Sequence, residues 1–142
     1  MKQIIIIVLV VVAIITGAMF LGKDSETTVD ATGSNNWYGQ ENGVVTLTEY
    51  ADFQCPACAQ FAPLVSQVKE QFKDQIRFEY KHFPLVQIHP NATSAHRAAQ
   101  AAANQNKFWE MHDLLYQNQS SWSSVSSPAT TFETYAQQIG LN

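Results

Sequence analysis

Residues 44–58 read VVTLTEYADFQCPAC, and this stretch places two cysteines directly after a segment of alternating apolar and polar residues. From Val44 to Phe53 every second side chain falls on the same face, which holds Val45, Leu47, Glu49, Ala51 and Phe53. Alternation with a period of two is typical of a half-buried strand. The stretch therefore predicts a strand that runs straight into the motif Cys55-Pro56-Ala57-Cys58.

A helix is predicted after the first cysteine, because apolar residues recur at spacings of three and four: Cys58, Phe61, Val65, Val68 and Phe72. Pro56 suits the first helical position, where a backbone N–H has no partner within the helix in any case. Pro63 falls inside the helix and is expected to kink it, because a backbone hydrogen bond is lost there.

The rest of the chain continues the alternation of strands and helices. Residues 76–83 predict a second strand, which Pro84 ends. Strand, helix and strand in this order form a right-handed βαβ unit with parallel strands. Further helices are predicted over residues 91–104, 108–116 and 131–139, the last with Gly140 as its cap, and residues 120–127 predict a serine-rich loop. The fold class is therefore α/β.

The spacing of the two cysteines favours redox chemistry. Residues three apart on a helix lie on the same side, so Cys55 and Cys58 can close a disulfide without backbone movement. The free backbone N–H groups at the start of the helix, those of Ala57 and Cys58 among them, stabilise a thiolate on Cys55. We expect Cys55 to be the nucleophile and Cys58 to resolve the mixed disulfide.

Glu49 is the third candidate catalytic residue. It lies on the apolar face of the first predicted strand, where burying an ionised carboxylate is costly. Our hypothesis is that Glu49 relays the proton of Cys58 during exchange. The alternative is an edge-strand carboxylate that simply reaches water.

Composition excludes several other classes of protein. The 142 residues carry a formal charge of -4 without a cluster of Lys or Arg, so nucleic-acid binding is not expected. Two cysteines are too few for a disulfide-held secreted domain or a structural zinc site. His82, His89, His96 and His112 form no recognised metal pattern, and we expect them at the surface or partly packed. We predict no cofactor and no metal beyond the redox-active pair.

The N-terminal segment predicts that the chain is targeted to a membrane. Residues 1–22 contain an apolar run long enough to span a bilayer core, flanked by Lys2 and Lys23, and predict a single-pass transmembrane signal anchor. A cleaved signal peptide, which would leave a secreted protein, is the alternative. Residues 23–43 predict a flexible polar linker. We expect the domain over residues 44–142 to lie outside the cytoplasm.

Three blocks of sequence resemble the DsbA-like branch of the thioredoxin superfamily. They are residues 44–58, residues 77–85 (RFEYKHFPL) and residues 107–113 (KFWEMHD). The resemblance implies a thiol–disulfide oxidoreductase in which Cys55 attacks, Cys58 resolves, Glu49 is the acidic residue beneath them and the helices from Asn91 onward form an insertion. Pro63 resembles the helix-kinking proline of thioredoxins.

This family resemblance also implies partners: unfolded or reduced substrate proteins and a membrane redox partner that reoxidises the cysteines. Members of the family carry a cis-proline loop and a C-terminal β-hairpin, and none of the five prolines of this chain precedes such a hairpin. We therefore expect a partial domain that is truncated at its C-terminus. Ala57 departs from family members that have a histidine there, because it donates neither a hydrogen bond nor a charge to Cys55.

The function that these observations predict is disulfide formation in secreted or surface proteins. Pro56 resembles the oxidising members of the family. Two alternatives remain at this point: a disulfide reductase or isomerase, and a non-catalytic thioredoxin-like binding module, such as a metallochaperone that holds Cu(I) between two thiolates.

Overall fold

A computed structural model of the chain describes residues 36–43 and 45–141. These residues belong to one compact unit, Ala31–Asn142. The predicted membrane anchor over residues 1–22 lies outside the described residues. Among residues 36–43 and 45–141, no helix combines the length and the apolar character needed to cross a bilayer.

The sheet of the described region has three strands, β1 (Trp37–Gly39), β2 (Val45–Ala51) and β3 (Ile76–His82), in the order β1-β3-β2. β2 runs parallel to β3, and β1 runs antiparallel to β3. The helix α1 (Pro56–Phe72) connects the two parallel strands. This arrangement confirms the predicted βαβ unit and the α/β fold class.

The prediction of a flexible linker over residues 23–43 is wrong for its last part, because β1 lies within it. Two aromatic residues explain the order. The ring of Tyr38 packs edge-on against that of Trp109, with 6.1 Å between their centroids. The indole N–H of Trp109 donates to the carbonyl oxygen of Trp37 over 3.0 Å. These contacts supply buried aromatic surface that the neighbouring polar residues lack.

Four further helices follow β3: α2 (Ala92–Ala103), α3 (Phe108–Gln117), α4 (Gln119–Trp122) and α5 (Ala129–Gln138). α4 replaces the first part of the predicted serine-rich loop, because the buried indole of Trp122 donates to the carbonyl oxygen of Leu115 over 2.9 Å. Gly140 follows α5 with a φ of +78° and donates to the carbonyl oxygen of Gln137. This geometry confirms the predicted cap.

The core lies between the sheet and the helices that follow it. Phe53 is completely buried and stacks on Tyr80 with 5.1 Å between ring centroids. Small side chains let α2 pack closely against α3, and those that are fully buried are Ala92, Ala95, Ala99 and Ala102. The segment that leads from β2 to the cysteines is therefore anchored in the core.

The predicted apolar stripe of α1 is only partly buried, since the side chain of Phe61 is 62% exposed. α1 contacts β1 and α3, so Ala62 and Lys69 are the residues that it buries. Phe61 lies about 100° around the helix from Ala62 and faces away from those contacts. Val45 and Leu47 are also exposed, because β2 is an outer strand of the described sheet.

Candidate active site

Cys55 occupies the N-cap position of α1, with φ of −70° and ψ of 121°. Pro56 opens the helix, as predicted, and both Pro56 and Ala57 are exposed. The carbonyl oxygen of Cys55 accepts the first helical hydrogen bond, from the N–H of Ala59, over 3.1 Å. Cys58 lies one turn into the helix, and both cysteines are free thiols that are half-buried. The structure thus brings the two predicted redox residues together at the start of α1.

The turn between β2 and α1 is built by Asp52. Its backbone carbonyl accepts a hydrogen bond from the N–H of Cys55 over 3.1 Å. Its carboxylate accepts a second bond from the N–H of Gln54 over 2.8 Å. An aspartate that bonds the backbone two residues later favours a turn over continued strand. The chain therefore passes from the end of β2 to the start of α1 through only four residues, 52–55.

Glu49 lies on β2, where its Cα pairs in parallel register with that of Tyr80. Burial raises the pKa of Glu49 to about 7, although the positive charge of Lys69 opposes the shift. Its Oε2 atom is buried and has no hydrogen-bond partner within the described part of the chain. A carboxyl group with a pKa near neutrality can both accept and release a proton at physiological pH.

Burial also raises the pKa of the Cys58 thiol, and the nearby Cys55 and Glu49 raise it further, whereas a backbone hydrogen bond at Asp52 lowers it. Cys58 is therefore a protonated thiol at neutral pH and needs a base before it can attack a disulfide. Glu49 is close enough to act on Cys58 electrostatically. The proton relay between these two residues stays a prediction.

Lys69 is a residue of the site that the sequence analysis did not find. It is only 5% exposed, and its Nζ lies 4.2 Å from the ring centroid of Trp109 and 4.8 Å from that of Tyr38. A buried ammonium group over aromatic faces is held by cation–π attraction. The one signal in the sequence is its position four residues after Val65, which places a charge on the inner side of α1.

Asp52 also binds the loop that follows β3. It is 2% exposed and accepts hydrogen bonds from the backbone N–H of Leu85 and from Nδ1 of His89, over 2.8 and 2.7 Å. Burial alone would raise the pKa of Asp52, but the imidazoles of His96 and His89 and the backbone N–H groups of Leu85 and Gln54 hold it well below its usual range. Asp52 is therefore a buried anion next to the cysteine motif.

The expectation of surface or partly packed histidines is wrong for His96 and His112, which are buried. Nδ1 of His96 lies 2.6 Å from Nδ1 of His82, whose Nε2 lies 3.2 Å from Oε1 of Gln100. Burial lowers the pKa of His82 to about 4, and His96 adds to this effect. The side chains converge because β3 and α2 pack together, a contact that sequence spacing does not reveal.

Pro63 lies inside α1, as predicted. It lines an open groove of about 380 Å³ between α1 and α3. Asp113 and Tyr116 line the opposite side of this groove, and Ala59 brings it to the residue after Cys58. The groove therefore runs beside the helix that carries both cysteines.

The structure shows no metal centre among residues 36–43 and 45–141, since no three side chains of His, Cys, Asp or Glu come together in a metal-binding group there.

The comparison with known sequences identifies the family. A sequence model described as thioredoxin, Thioredoxin_4, matches residues 31–139. The chain belongs to this thioredoxin family. Solved structures similar to this thioredoxin-family chain include alpha-DsbA2 from Wolbachia pipientis, with a TM-score of 0.63 and 18% identity, covering 75% of this chain and 53% of that protein. A thioredoxin-like oxidoreductase from Silicibacter pomeroyi has a TM-score of 0.59 and 27% identity, covering 75% of this chain and 57% of that one.

The curated relatives of this thioredoxin-family chain are named as Na(+)/H(+) antiporters and not as thioredoxins. Residues of the chain are 46% identical to the Na(+)/H(+) antiporter NhaA 3 of Salinispora tropica over 81 positions, which is 57% of this chain and 12% of the antiporter. The NhaA 1 antiporter of Mycolicibacterium gilvum is 40% identical over 89 residues, which is 61% of this chain and 14% of that protein. The chain therefore spans a small part of the antiporters and about half of the solved proteins. The fold is that of DsbA-like proteins.

Proposed function

We propose that this domain is a thiol–disulfide oxidoreductase that exchanges disulfides with other proteins through Cys55 and Cys58. The observation that carries the proposal is the position of Cys55 at the N-terminal end of α1, with Cys58 one turn inside the helix, where the half-buried Glu49 acts on it electrostatically. Free N–H groups at a helix start stabilise an anion on the first sulfur. The second sulfur stays protonated until a base takes its proton.

The reaction that fits this geometry transfers two electrons from a substrate dithiol. A substrate thiolate attacks Sγ of Cys55 in the oxidised pair, the Cys55–Cys58 bond breaks, and the Cys58 thiolate leaves and takes up a proton. The second substrate thiolate then attacks the substrate sulfur of the mixed disulfide, and Cys55 leaves as a thiolate. The substrate ends with a disulfide, and Cys55 and Cys58 end as a dithiol.

Glu49 is the proton carrier in this proposal. When Cys58 leaves, the protonated form of Glu49 donates to it, and when Cys58 attacks in the reverse direction, the carboxylate removes its proton. A pKa of about 7 makes both forms available at neutral pH.

We infer that the direction in the cell is oxidation, outside the cytoplasm. Pro56 resembles the oxidising DsbA-like members, and a redox-partner disulfide in the membrane would reoxidise the dithiol. The predicted anchor over residues 1–22 and the similarity to proteins named as Na(+)/H(+) antiporters support a location at a membrane. Unfolded or reduced secreted proteins are the proposed substrates.

A trapping experiment tests the exchange reaction. The full chain with Cys58→Ser, treated with a cysteine-containing peptide disulfide, is expected to accumulate a mixed disulfide at Cys55 that mass spectrometry identifies. The Cys55→Ser chain is the matched control and should trap far less peptide. Equal trapping by both chains would contradict the assignment of Cys55 as the nucleophile.

A redox titration against glutathione tests the direction. A potential well above about −270 mV, the thioredoxin value, supports an oxidase, and a value near or below it supports a reductase. Alkylation of Cys55 with the pH dependence of a free cysteine would instead support a passive binding module.

A further inference from the structure

The side chain of Gln119 reaches the backbone on both sides of Gln54. Its Nε2 donates to the carbonyl oxygen of Phe53 over 2.7 Å and to that of Cys55 over 2.9 Å. Gln119 is the first residue of α4 and lies 64 positions after Cys55 in the chain. A side chain of the helical insertion therefore holds two peptide groups: the one after Phe53, just before the cysteine motif, and the one after Cys55, within it.

The carbonyl oxygen of Cys55 has two lone pairs, and this contact occupies the second of them. The first accepts the N–H of Ala59, which is the opening hydrogen bond of α1. With both lone pairs occupied, the peptide plane after Cys55 has little freedom to rotate. The angle ψ of Cys55, 121° in this structure, is fixed by that plane. The direction in which the Cα–Cβ bond of Cys55 leaves the backbone at the start of α1 is fixed with it.

Neighbouring contacts hold the preceding residue from the same side. The amide of Gln54 donates to the carbonyl oxygen of Ser123 and accepts from the N–H of Asn91, each over 2.7 Å. The side chain of Asn91 in turn donates to the carbonyl oxygens of Trp122 and Val125. These bonds fasten the turn as a whole to the insertion, whereas the Gln119 amide contacts the peptide group of Cys55 itself.

We propose that Gln119 is a positioning residue for disulfide exchange: its amide holds the Cys55 carbonyl and thereby fixes the backbone that presents the Cys55 side chain at the start of α1. This inference rests on the proposed function. Loss of the amide lets the peptide plane rotate, and the thiolate of the reduced protein then loses part of its stabilisation. Because the thiolate belongs to the reduced state, the disulfide becomes a weaker oxidant.

The test compares Gln119→Met with the wild-type full chain in detergent, because methionine keeps the length of the side chain and removes its donor. In the measured equilibrium, the oxidised domain and two reduced glutathiones give the reduced domain and one oxidised glutathione. The equilibrium constant for reduction of the domain by glutathione is expected to fall about 3- to 10-fold, as does the rate of Cys55 alkylation at pH 5 to 6. The exposed Gln138→Met on α5 is the matched control and should leave both quantities unchanged.

A second variant, Gln119→Glu, has a signature that a merely structural role would not produce. At neutral pH its carboxylate cannot donate and adds a negative charge near the sulfur, so we expect slower alkylation than for Gln119→Met. Near pH 4 the protonated carboxyl donates again, and the ratio to the wild-type rate should recover.

The outcomes separate this inference from the proposed function. A wild-type chain that exchanges no disulfide contradicts the proposed function whatever the variants do. An active wild type with an unchanged equilibrium constant in Gln119→Met overturns the positioning role. Loss of the native circular dichroism spectrum in both variants would assign Gln119 to folding alone and would also overturn it.

Discussion

Oδ2 of Asp52 lies 2.7 Å from Nδ1 of His89, so a carboxylate three residues before Cys55 fastens the loop after β3 to the cysteine motif. The same oxygen accepts the N–H of Leu85, and Oδ1 accepts the N–H of Gln54. Three donors therefore converge on one buried carboxylate, and each of them needs an oxygen acceptor.

We expect Asp52→Asn to lower the free energy of unfolding by about 1 to 3 kcal/mol, because an amide offers one oxygen and turns its NH₂ group toward a donor. Urea denaturation at pH 7 measures the loss. Asp74→Asn, at an exposed position, is the matched control and should change stability by less than about 0.5 kcal/mol. An Asp52→Asn chain as stable as the wild type would show that the three contacts contribute nothing net.

Glu49→Gln should change the pH dependence of stability. The folded state holds the proton of Glu49 up to about pH 7, against 4.5 for the ordinary group, so this stability is fully present below pH 4.5 and is lost as the pH rises through 7. Allowing for partial exposure, the loss is about 2 kcal/mol. Glutamine carries no charge, so the variant should be more stable than the wild type at pH 8 and about equal to it at pH 4.5, as measured by urea denaturation.

The same variant should slow the attack of Cys58 on a Cys55 mixed disulfide by about 10- to 100-fold at pH 7, because a proton carrier is lost. Stopped-flow measurement of the release of a chromophoric thiol from the mixed disulfide follows this step. Glu133→Gln, exposed on α5, is the control. Unchanged release by Glu49→Gln would leave Glu49 with a structural role only.

Lys69→Met should raise the pKa of Glu49 above about 7, because the positive charge that opposes the effect of burial is removed. The pH at which mixed-disulfide resolution reaches half its maximal rate should therefore move to higher pH. Lys73→Met, at the exposed residue that caps the C-terminal end of α1, is the matched control, and its pH profile should coincide with that of the wild type. A shift toward lower pH would contradict the electrostatic role of Lys69.

His82 should make the domain sensitive to acid. Burial and His96 lower its pKa to about 4, whereas an unfolded histidine titrates near 6.5. The corresponding stability is fully present above pH 6.5 and is lost as the pH falls through 4, by about 2 kcal/mol after allowance for partial exposure. In His82→Gln, the difference in unfolding free energy between pH 6.5 and pH 4 should shrink by that amount. An equal pH dependence in both chains would show that His82 is not excluded from protonation.

Local patterns in the sequence predicted the two parallel strands β2 and β3, the helix α1 that carries the cysteines, and the order in which they occur. The alternation over residues 44–53, the proline after Cys55 and the cysteine spacing each depend on contacts within one or two turns of chain, and the structure has β2 and α1 close to the predicted bounds. The inward position of Glu49 followed from the same alternation. Errors arose where contacts from elsewhere in the chain decide the outcome: Trp37 and Tyr38 were assigned to a linker, and Phe61 to a buried stripe. His96 and His112 were likewise expected at the surface or partly packed, although they are buried.

The amino-acid sequence by itself determined that a pair of thiols would lie at the start of a helix that directly follows a strand, because periodicity and capping are local properties. Only the tertiary structure decided what surrounds them. His89 on Asp52 and Gln119 on the Cys55 carbonyl come from separate elements, and no periodic signal marks them in advance. For Lys69, periodicity marks a place on the inner side of α1 but not its electrostatic effect on Glu49. Such contacts depend on how α1, the loop after β3 and the helical insertion pack together.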